Sequence, residues 1–235
     1  FISAGTQAGV LAKATGTLVR GGKGPIFLVT NRHVVTGLDQ ETNHTLDAGG
    51  AVPDRLLVAL PHHDPSSPGL FWNYVEVRLI DENQRPLWIE HPRLGRSADI
   101  VALPIKLSPA NEPFAYDVLK QKVAYLTPGE KVSVIGFPFG MSGLGHLAIW
   151  ATGFIATEPG VDFNDLPMLL VDCRSRPGQS GSPVVFSQLG GWVPTGQKTS
   201  AMYQGRVTDF LGIYSGRINR ESDLGMVWKA SAVAQ

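Results

Sequence analysis

The chain has 235 residues, of which 43% are hydrophobic and 17% charged, enough apolar side chains for a substantial buried core. Its twenty basic and twenty acidic residues cancel, and no cluster of Lys and Arg marks a nucleic-acid or anionic-membrane surface. No window approaches the ~18 consecutive apolar residues of a membrane span, and the single cysteine, Cys173, excludes an intrachain disulfide. These features favour a protein or peptide as partner over a polyanion.

Short β-branched runs, separated by 27 glycines and 17 prolines, predict an all-β sandwich or barrel. In the first half, residues 15–20 and 26–30 flank a glycine-rich turn and predict a hairpin. Further strands are predicted along the chain at residues 56–60, 74–80, 131–136, 147–152, 168–171 and 209–214.

Two segments rich in Pro, Gly, Ser and Gln interrupt these strands. We expect residues 105–129 to connect two β units and residues 187–205 to form a surface excursion. The residues from Met226 onward predict a short C-terminal helix. The chain is therefore predicted to be one domain with two β units, at approximately residues 1–110 and 125–235.

The most informative motif is Gly-Gln-Ser-Gly-Ser-Pro at residues 178–183, directly before an apolar run. A tight glycine turn can expose the hydroxyl of Ser180, and the amides of Gly178 and Ser180 can bind the oxyanion that forms when a carbonyl is attacked. The motif therefore predicts a nucleophilic serine. An ordinary glycine-serine β-turn is the alternative.

A serine nucleophile needs a base, and the base needs a carboxylate that orients it. His33 ends an apolar run and precedes two valines, which predicts a position where a strand reaches a cleft. Asp99 precedes the apolar residues 100–103, where a buried carboxylate without a partner would be costly. Taken singly, His33 also fits a buried structural histidine and Asp99 a turn former.

In the order His, Asp, Ser, these motifs resemble the trypsin/chymotrypsin family of serine proteases, especially its bacterial HtrA-like branch. The resemblance implies two six-stranded antiparallel β-barrels with the triad His33, Asp99 and Ser180 in the cleft between them. It also implies peptide-bond hydrolysis through an acyl-enzyme, without a cofactor. The matching motifs are Thr-Asn-Arg-His-Val-Val at 30–35, Ala-Asp-Ile-Val at 98–101, Gly-Phe-Pro-Phe-Gly at 136–140, the serine motif, and Leu-Gly-Ile-Tyr-Ser-Gly at 211–216.

The sequence departs from the family pattern at two positions beside the nucleophile. Ser182 stands where a glycine is most common, and we expect activity to survive this change of one small residue for another. Gln179 replaces the acid that trypsin-like zymogen activation would need, so we expect that switch to be absent. An esterase with the same triad is disfavoured, because Ser180 leads into Pro183 and a strand rather than into a helix.

The resemblance also has implications for how the protein is regulated. HtrA-like enzymes usually carry a peptide-binding domain after the protease, which implies a regulatory domain or partner protein outside this chain. We expect the glycine-rich segment 140–145 to be mobile, and the alternative to an active enzyme is a latent or non-catalytic module that binds peptides or proteins. The compartment stays open, and the single cysteine favours a bacterial cytoplasm or periplasm.

The resemblance also locates the pocket for the residue that precedes the scissile bond. Arg174 would lie near its base and favour an acidic side chain through charge-assisted hydrogen bonds. If Arg174 turns outward, or an aspartate neutralises it, the pocket instead fits a small apolar residue. The other implied pocket residues are Tyr214, Ser215, Gly216 and Gly225.

Two further groups have chemistry-bearing side chains, and we predict structural roles for both. His62, His63 and Asp64 resemble a metal trio, but neighbouring strand residues point to opposite faces and a Pro-Ser loop follows. No metal is predicted. Cys173 has no evident base of its own and is predicted to be a small buried apolar residue.

Overall fold

The structure is a computed structural model that describes residues 1–63, 70–107, 113–142, 147–219 and 221–235. Within these residues the fold is all-β, with two short helices, α1 (Arg32–Thr36) and α2 (Ala230–Val233). No helix among them is long and apolar enough to cross a membrane. The strands are β1 (Ile2–Thr6), β2 (Gly9–Ala14), β3 (Thr17–Arg20), β4 (Phe27–Thr30), β5 (Arg55–His63), β6 (Leu70–Arg78), β7 (Ile89–Glu90), β8 (Val101–Pro104), β9 (Tyr116–Asp117), β10 (Lys131–Gly136), β11 (Ile149–Ile155), β12 (Met168–Asp172), β13 (Pro183–Gly196), β14 (Thr199–Arg217) and β15 (Leu224–Lys229).

The second half forms a closed six-stranded barrel in the order β10-β11-β12-β15-β14-β13, with all neighbours antiparallel. Strands β10 to β14 alternate buried and exposed side chains or bury both faces, as a filled barrel requires. Its interior is a cluster of buried apolar residues that includes Val134, Val171, Val184 and Val227. This half matches the predicted barrel.

The first half is a correction, because its strands form two open sheets rather than a second closed barrel. The sheets have the orders β2-β1-β5-β6 and β7-β8-β4-β3-β9, and β9 pairs with β3 in parallel. Their apolar faces share one core that includes Ile2, Leu28, Leu56 and Leu103. Directly after β2, the Thr15 amide donates to the oxygen of Ser180, in the other half, at 2.9 Å.

Residues 187–205, predicted as a surface excursion, instead continue strands β13 and β14 as a long hairpin. Their glycines and a proline fall at register shifts, between Leu189 and Gly191 and between Pro194 and Gly196, where a β-bulge tolerates them. Val193 is buried in the core of the barrel and fixes one face of the hairpin. A turn-rich composition therefore concealed two strands.

The predicted C-terminal helix is shorter than expected. Met226, Val227 and Trp228 belong to strand β15, which pairs with β12 and β14, and α2 begins only at Ala230. Trp228 is buried in a third apolar cluster with Val29 and Ile100, which joins the two halves of the molecule. This cluster holds the chain around His33 and Asp99 against the barrel that carries Ser180.

Candidate active site

His33 and Asp99 meet at the ends of two neighbouring strands. Strand β4 ends at Thr30 and α1 begins at Arg32, so His33 lies in the first helical turn, while Asp99 comes shortly before β8. His33 Nδ1 lies 2.7 Å from Asp99 Oδ2, and the His33 amide donates to Asp99 Oδ1 at 3.0 Å. The carboxylate therefore fixes both the backbone and the ring of this histidine.

Two further groups hold Asp99, which is only 4% exposed. Ser215 Oγ donates to Asp99 Oδ2 at 2.6 Å, and Asn31 Nδ2 donates to the Asp99 main-chain oxygen at 2.6 Å. Because an ionised carboxylate only accepts hydrogen bonds, His33 Nδ1 carries the hydrogen, and Nε2 is the free acceptor. Ser215, implied by the family resemblance as a pocket wall, thus orients the carboxylate.

Ser180 faces the same cavity as His33. This cavity has a volume of about 310 Å³ and is lined by His33, Gly178 and Ser180, among other residues. Within the described part of the chain, the amides of Gly178 and Ser180 donate to no acceptor, whereas the next amide, of Gly181, donates to the Tyr214 oxygen at 2.9 Å. Two free donors therefore flank the serine, as an oxyanion hole requires.

Gly178 is at a position that only glycine suits. Its φ is +96°, in the region that L side chains rarely adopt. A Cβ there would collide with the Phe137 oxygen and would lie 3.1 Å from the Gly140 amide nitrogen. The 3-10 turn Pro138–Gly140 thus packs directly beneath the turn that presents the serine.

Thr15 is a site residue that sequence reasoning missed. Its Oγ1 donates to the Gly178 oxygen at 2.9 Å and accepts from the Phe137 amide at 3.2 Å. Thr17, two residues on, donates to the Gly181 oxygen at 2.8 Å. A threonine at a strand end is too common to identify such a contact, which joins residues more than 160 positions apart.

Gln179 forms two hydrogen bonds within the turn that presents Ser180. The residue is fully buried, its Oε1 accepts from the Arg176 amide at 2.7 Å, and its own amide donates to the Arg176 oxygen at 3.2 Å. These two bonds make a compact ring of residues 176–179. The position that would hold an acid in a zymogen-type switch therefore holds a neutral side chain with a local structural role.

The structure distinguishes between the two alternatives stated for Arg174 in the pocket before the scissile bond. Arg174 is exposed, whereas the buried Ser175 forms a hydrogen bond through its Oγ with the Tyr214 hydroxyl. A Cβ at Gly225 would collide with the Tyr214 ring. The outward-turned alternative for Arg174 fits, and the Tyr214 ring fills the space between Ser175 and Gly225.

Tyr214 is 2% exposed, and burial raises its pKa to about 12. The side chain is therefore a neutral, fixed filler of this space. Gly216, beyond it on β14, follows a register shift and has open space where a Cβ would be. The surface beside Gly216 is open while the depth of the pocket is closed.

The remaining candidates have structural surroundings. Burial raises the pKa of the Cys173 thiol to about 11, and its Sγ donates to the Ala151 oxygen at 3.4 Å, so the thiolate is disfavoured. His62 lies in β5 opposite Phe71, while Asp64 lies outside the described residues. Among the residues described, no three His, Cys, Asp or Glu side chains cluster as a metal site would require.

The predicted mobile segment 140–145 is only partly described, because residues 143–146 lie outside the structure's described ranges. Gly140 itself ends the 3-10 turn, and its amide donates to the Phe137 oxygen at 2.8 Å. The mobility of the segment stays a prediction.

Comparison with protein families shows where the chain belongs. The model of the trypsin-like peptidase domain matches residues 14–193, which is more than half of the chain. The chain is therefore a member of the trypsin-like peptidase domain family, as its ordered motifs predicted. A sequence comparison with curated proteins finds no match.

Several solved protease structures are similar to this chain. The active form of the Rv3671c protease from M. tuberculosis matches with a TM-score of 0.50 and 14% identity, covering 99% of this chain and 76% of that one. A serine endoprotease from Yersinia pestis matches with a TM-score of 0.50 and 14% identity, covering 99% and 59%. The HtrA-type protease AlgW with a decapeptide has a TM-score of 0.49 and 18% identity, covering 95% and 50%. The chain thus spans 59% and 50% of the length of the last two proteins.

Proposed function

We propose that this chain is a serine endopeptidase in which Ser180 is the nucleophile, His33 the general base and Asp99 the orienting carboxylate. The observation that carries the proposal is the pairing of His33 Nδ1 with the buried Asp99, at 2.7 Å, on the wall of the cavity that contains Ser180. This arrangement leaves His33 Nε2 as the only ring nitrogen able to accept a proton from the serine.

The reaction follows from these positions. Ser180 Oγ attacks the peptide carbonyl as His33 Nε2 takes its proton, and the negative charge on the carbonyl oxygen is bound by the amides of Gly178 and Ser180. His33 then gives the proton to the leaving amine, and the acyl group stays on Ser180. A water molecule repeats the sequence and releases the acid.

Asp99 stabilises the imidazolium that forms in both steps. Its burial and its hydrogen bonds from His33 and Ser215 hold the carboxylate in place before the charge develops, so no solvent needs to reorganise at that moment. Loss of the negative charge would also remove the preference for a hydrogen on His33 Nδ1. An asparagine at this position is therefore expected to be far less active than aspartate.

The substrate proposed is a protein or peptide with a small residue before the scissile bond. Tyr214 fills the depth of that pocket, its hydroxyl is bonded to Ser175, and Arg174 is exposed. Alanine, glycine or serine would fit above the ring, since a larger side chain would need Tyr214 to move. A regulatory domain or partner outside this chain stays part of the proposal.

Hydrolysis of an unfolded protein such as reduced casein, followed by mass spectrometry of the fragments, tests this function. We expect fragments from the wild type and at least a roughly 10⁴-fold slower reaction from Ser180→Ala and His33→Ala. Ser200→Ala, at an exposed position on the β14 hairpin, is the matched control and should be fully active. A folded wild type that binds peptides but releases no fragments would instead indicate a non-catalytic binding module.

A further inference from the structure

The cavity that contains His33 and Ser180 is lined by only part of the residues around the site. Its walls come from β2, α1 and residues 46–53, and none of its lining residues belongs to residues 174–176 or 214–216. It is therefore separate from the pocket that Tyr214 fills. Two different parts of a substrate would contact these two regions.

The chemistry of the triad decides which part enters the cavity. His33 must donate its proton to the nitrogen of the leaving amine, so that nitrogen has to lie next to the imidazole. Val34 and Gly37 of the same helical segment line the cavity beside His33. The side chain of the residue that follows the scissile bond is attached one atom from this nitrogen, and the cavity is the space within its reach.

The lining of the cavity is mainly apolar. Leu11, Leu46, Ala51 and Pro53 contribute aliphatic surface, and Leu46 is 56% exposed. The charged residue Lys13 also lines the cavity, but its side chain packs on Gly140, where a Cβ would collide with the Lys13 Cδ. The cavity thus offers an exposed aliphatic side chain that a substrate could cover.

Asp47, the other charged lining residue, is held by hydrogen bonds within its own turn. Its Oδ2 accepts hydrogen bonds from the Gly49 amide at 2.8 Å and the Ala51 amide at 3.2 Å. A carboxylate held by backbone amides is less available to attract a cationic substrate group. The aliphatic residues therefore dominate the recognition chemistry of this cavity.

The wall that carries Leu46 is fixed in advance of binding. The Leu46 amide donates to the Gly37 oxygen at 2.8 Å, and Gly37 has a φ of +65°, with Pro53 Cδ only 2.7 Å from the position of a Cβ. Asp39 accepts three hydrogen bonds from Glu41 and Thr42 at the tip of the same loop. A preformed wall loses little conformational entropy when a substrate binds.

We infer that this cavity binds an apolar side chain on the residue that follows the scissile bond, and that Leu46 determines this selectivity. The inference rests on the proposed function. The volume of about 310 Å³ is at the lower end of ligand pockets, which are roughly 300–1,000 Å³, and suits one or two side chains. With the preceding residue restricted to small side chains by Tyr214, most of the sequence selectivity comes from the leaving-group side.

Acyl transfer to added amines tests this site in isolation. An alanine ester forms the acyl-enzyme, which leucinamide or glycinamide then attacks in competition with water. The amine nitrogen forms the new amide bond, the bond from the carbonyl carbon to Ser180 Oγ breaks, and the amine proton passes through His33 to Oγ. Because the acyl group is constant, the ratio of amide to acid product reports only on the leaving-group cavity.

The wild type should transfer its acyl group to leucinamide about tenfold better than to glycinamide, as expected for a hydrophobic pocket. Leu46→Asn has a similar size without the apolar surface and should reduce this preference to about twofold or less. Ala48→Trp, which adds bulk at an exposed lining residue, should also reduce it. Leu189→Asn is the matched control, an exposed leucine on the β13 hairpin outside this cavity, and should keep the wild-type ratio.

Equal transfer to the two amines by the wild type, or an unchanged preference in both Leu46→Asn and Ala48→Trp, would overturn the inference while leaving the peptidase function standing. A folded wild type that forms no acyl-enzyme with the ester would overturn the proposed function, and the inference with it. The acid product measured without any added amine separates these two failures.

Discussion

Thr15 Oγ1 donates a hydrogen bond to the main-chain oxygen of Gly178 at 2.9 Å, and so joins the two halves of the molecule at the candidate oxyanion hole. Thr15 Oγ1 also accepts a hydrogen bond from the Phe137 amide at 3.2 Å. The Thr15 amide adds a bond to the Ser180 oxygen at 2.9 Å. One residue between β2 and β3 therefore holds the turn on both sides of the amides that would bind the oxyanion.

Thr15→Val keeps the shape of this side chain and removes both Oγ1 hydrogen bonds. We expect kcat to fall by about 10-fold to 100-fold with KM changed less than about threefold, because the oxyanion donors act mainly in the transition state. Thr15→Ser, which keeps the hydroxyl, should restore most of kcat. Steady-state kinetics on a peptide substrate measures the split, and a variant that loses only stability, with kcat intact, would show that Thr15 does not position the turn.

Tyr214 gives the second prediction. Tyr214→Val should open the space between Ser175 and Gly225, so that the ratio of kcat/KM for phenylalanine to that for alanine before the scissile bond rises about tenfold or more. Tyr214→Phe keeps the ring and should keep the preference for small residues. The larger truncation is expected to lower the free energy of unfolding by about 3 kcal/mol. A preference unchanged in the folded Tyr214→Val protein would contradict this role.

The sequence predicted which residues the structure brings together at the site better than it predicted their surroundings. His33, Asp99 and Ser180 could be singled out because each lies in a short motif, and the neighbouring residues predict a strand end or a glycine turn there. The resemblance also implies Tyr214 as a pocket residue, but the direction of its ring depends on contacts with Ser175, 39 positions before it, and with Gly225 on the neighbouring strand.

In the fold, too, features set by neighbouring residues could be predicted, whereas features set by residues distant in sequence could not. The hairpin of β3 and β4 could be predicted because its turn and both strands are consecutive. The open sheets of the first half could not, since they depend on pairing between strands that are distant in sequence, such as β1 with β5 and β3 with β9. The long hairpin of β13 and β14 was missed because its bulges contain glycine, and a glycine-rich composition predicts a loop.

Ser182 carries the third prediction. Its Oγ is buried and has no hydrogen-bond partner among the described residues, and the residue packs so closely on Gly136 that a Cβ there would collide with it. Ser182→Ala removes an unsatisfied hydroxyl and should raise the free energy of unfolding by about 1 kcal/mol without loss of activity. Urea unfolding measures the change. A decrease in stability would indicate that the hydroxyl has a partner in solution.

His91 makes stability depend on pH. The residue is 6% exposed, and its Nδ1 accepts from the amides of Arg93 and Leu94, both at 3.2 Å. Burial, followed by the charge of Arg93, lowers the pKa of His91 below its usual value of 6.5. The unfolded chain then binds the proton more readily, so this contribution to stability is present above pH 6.5 and is lost as the pH falls through the lowered pKa.

His91→Asn offers an oxygen to the same two amides but does not titrate. The difference in the free energy of unfolding between pH 7.5 and pH 5.5 should therefore be smaller in this variant than in the wild type. His44→Asn, at an exposed position, is the matched control and should keep the wild-type dependence. Identical slopes for the wild type and His91→Asn would exclude His91 as the source.

The proposed peptidase activity depends most directly on an activated hydroxyl at Ser180. A fluorophosphonate probe, with mass spectrometry of the intact protein and of its peptides, should show one adduct per wild-type chain, located on Ser180. Ser180→Ala should remain unlabelled, His33→Ala should react far more slowly, and Ser200→Ala should react like the wild type. A folded wild-type protein with no adduct on Ser180, or with labelling that persists in Ser180→Ala, would contradict the account.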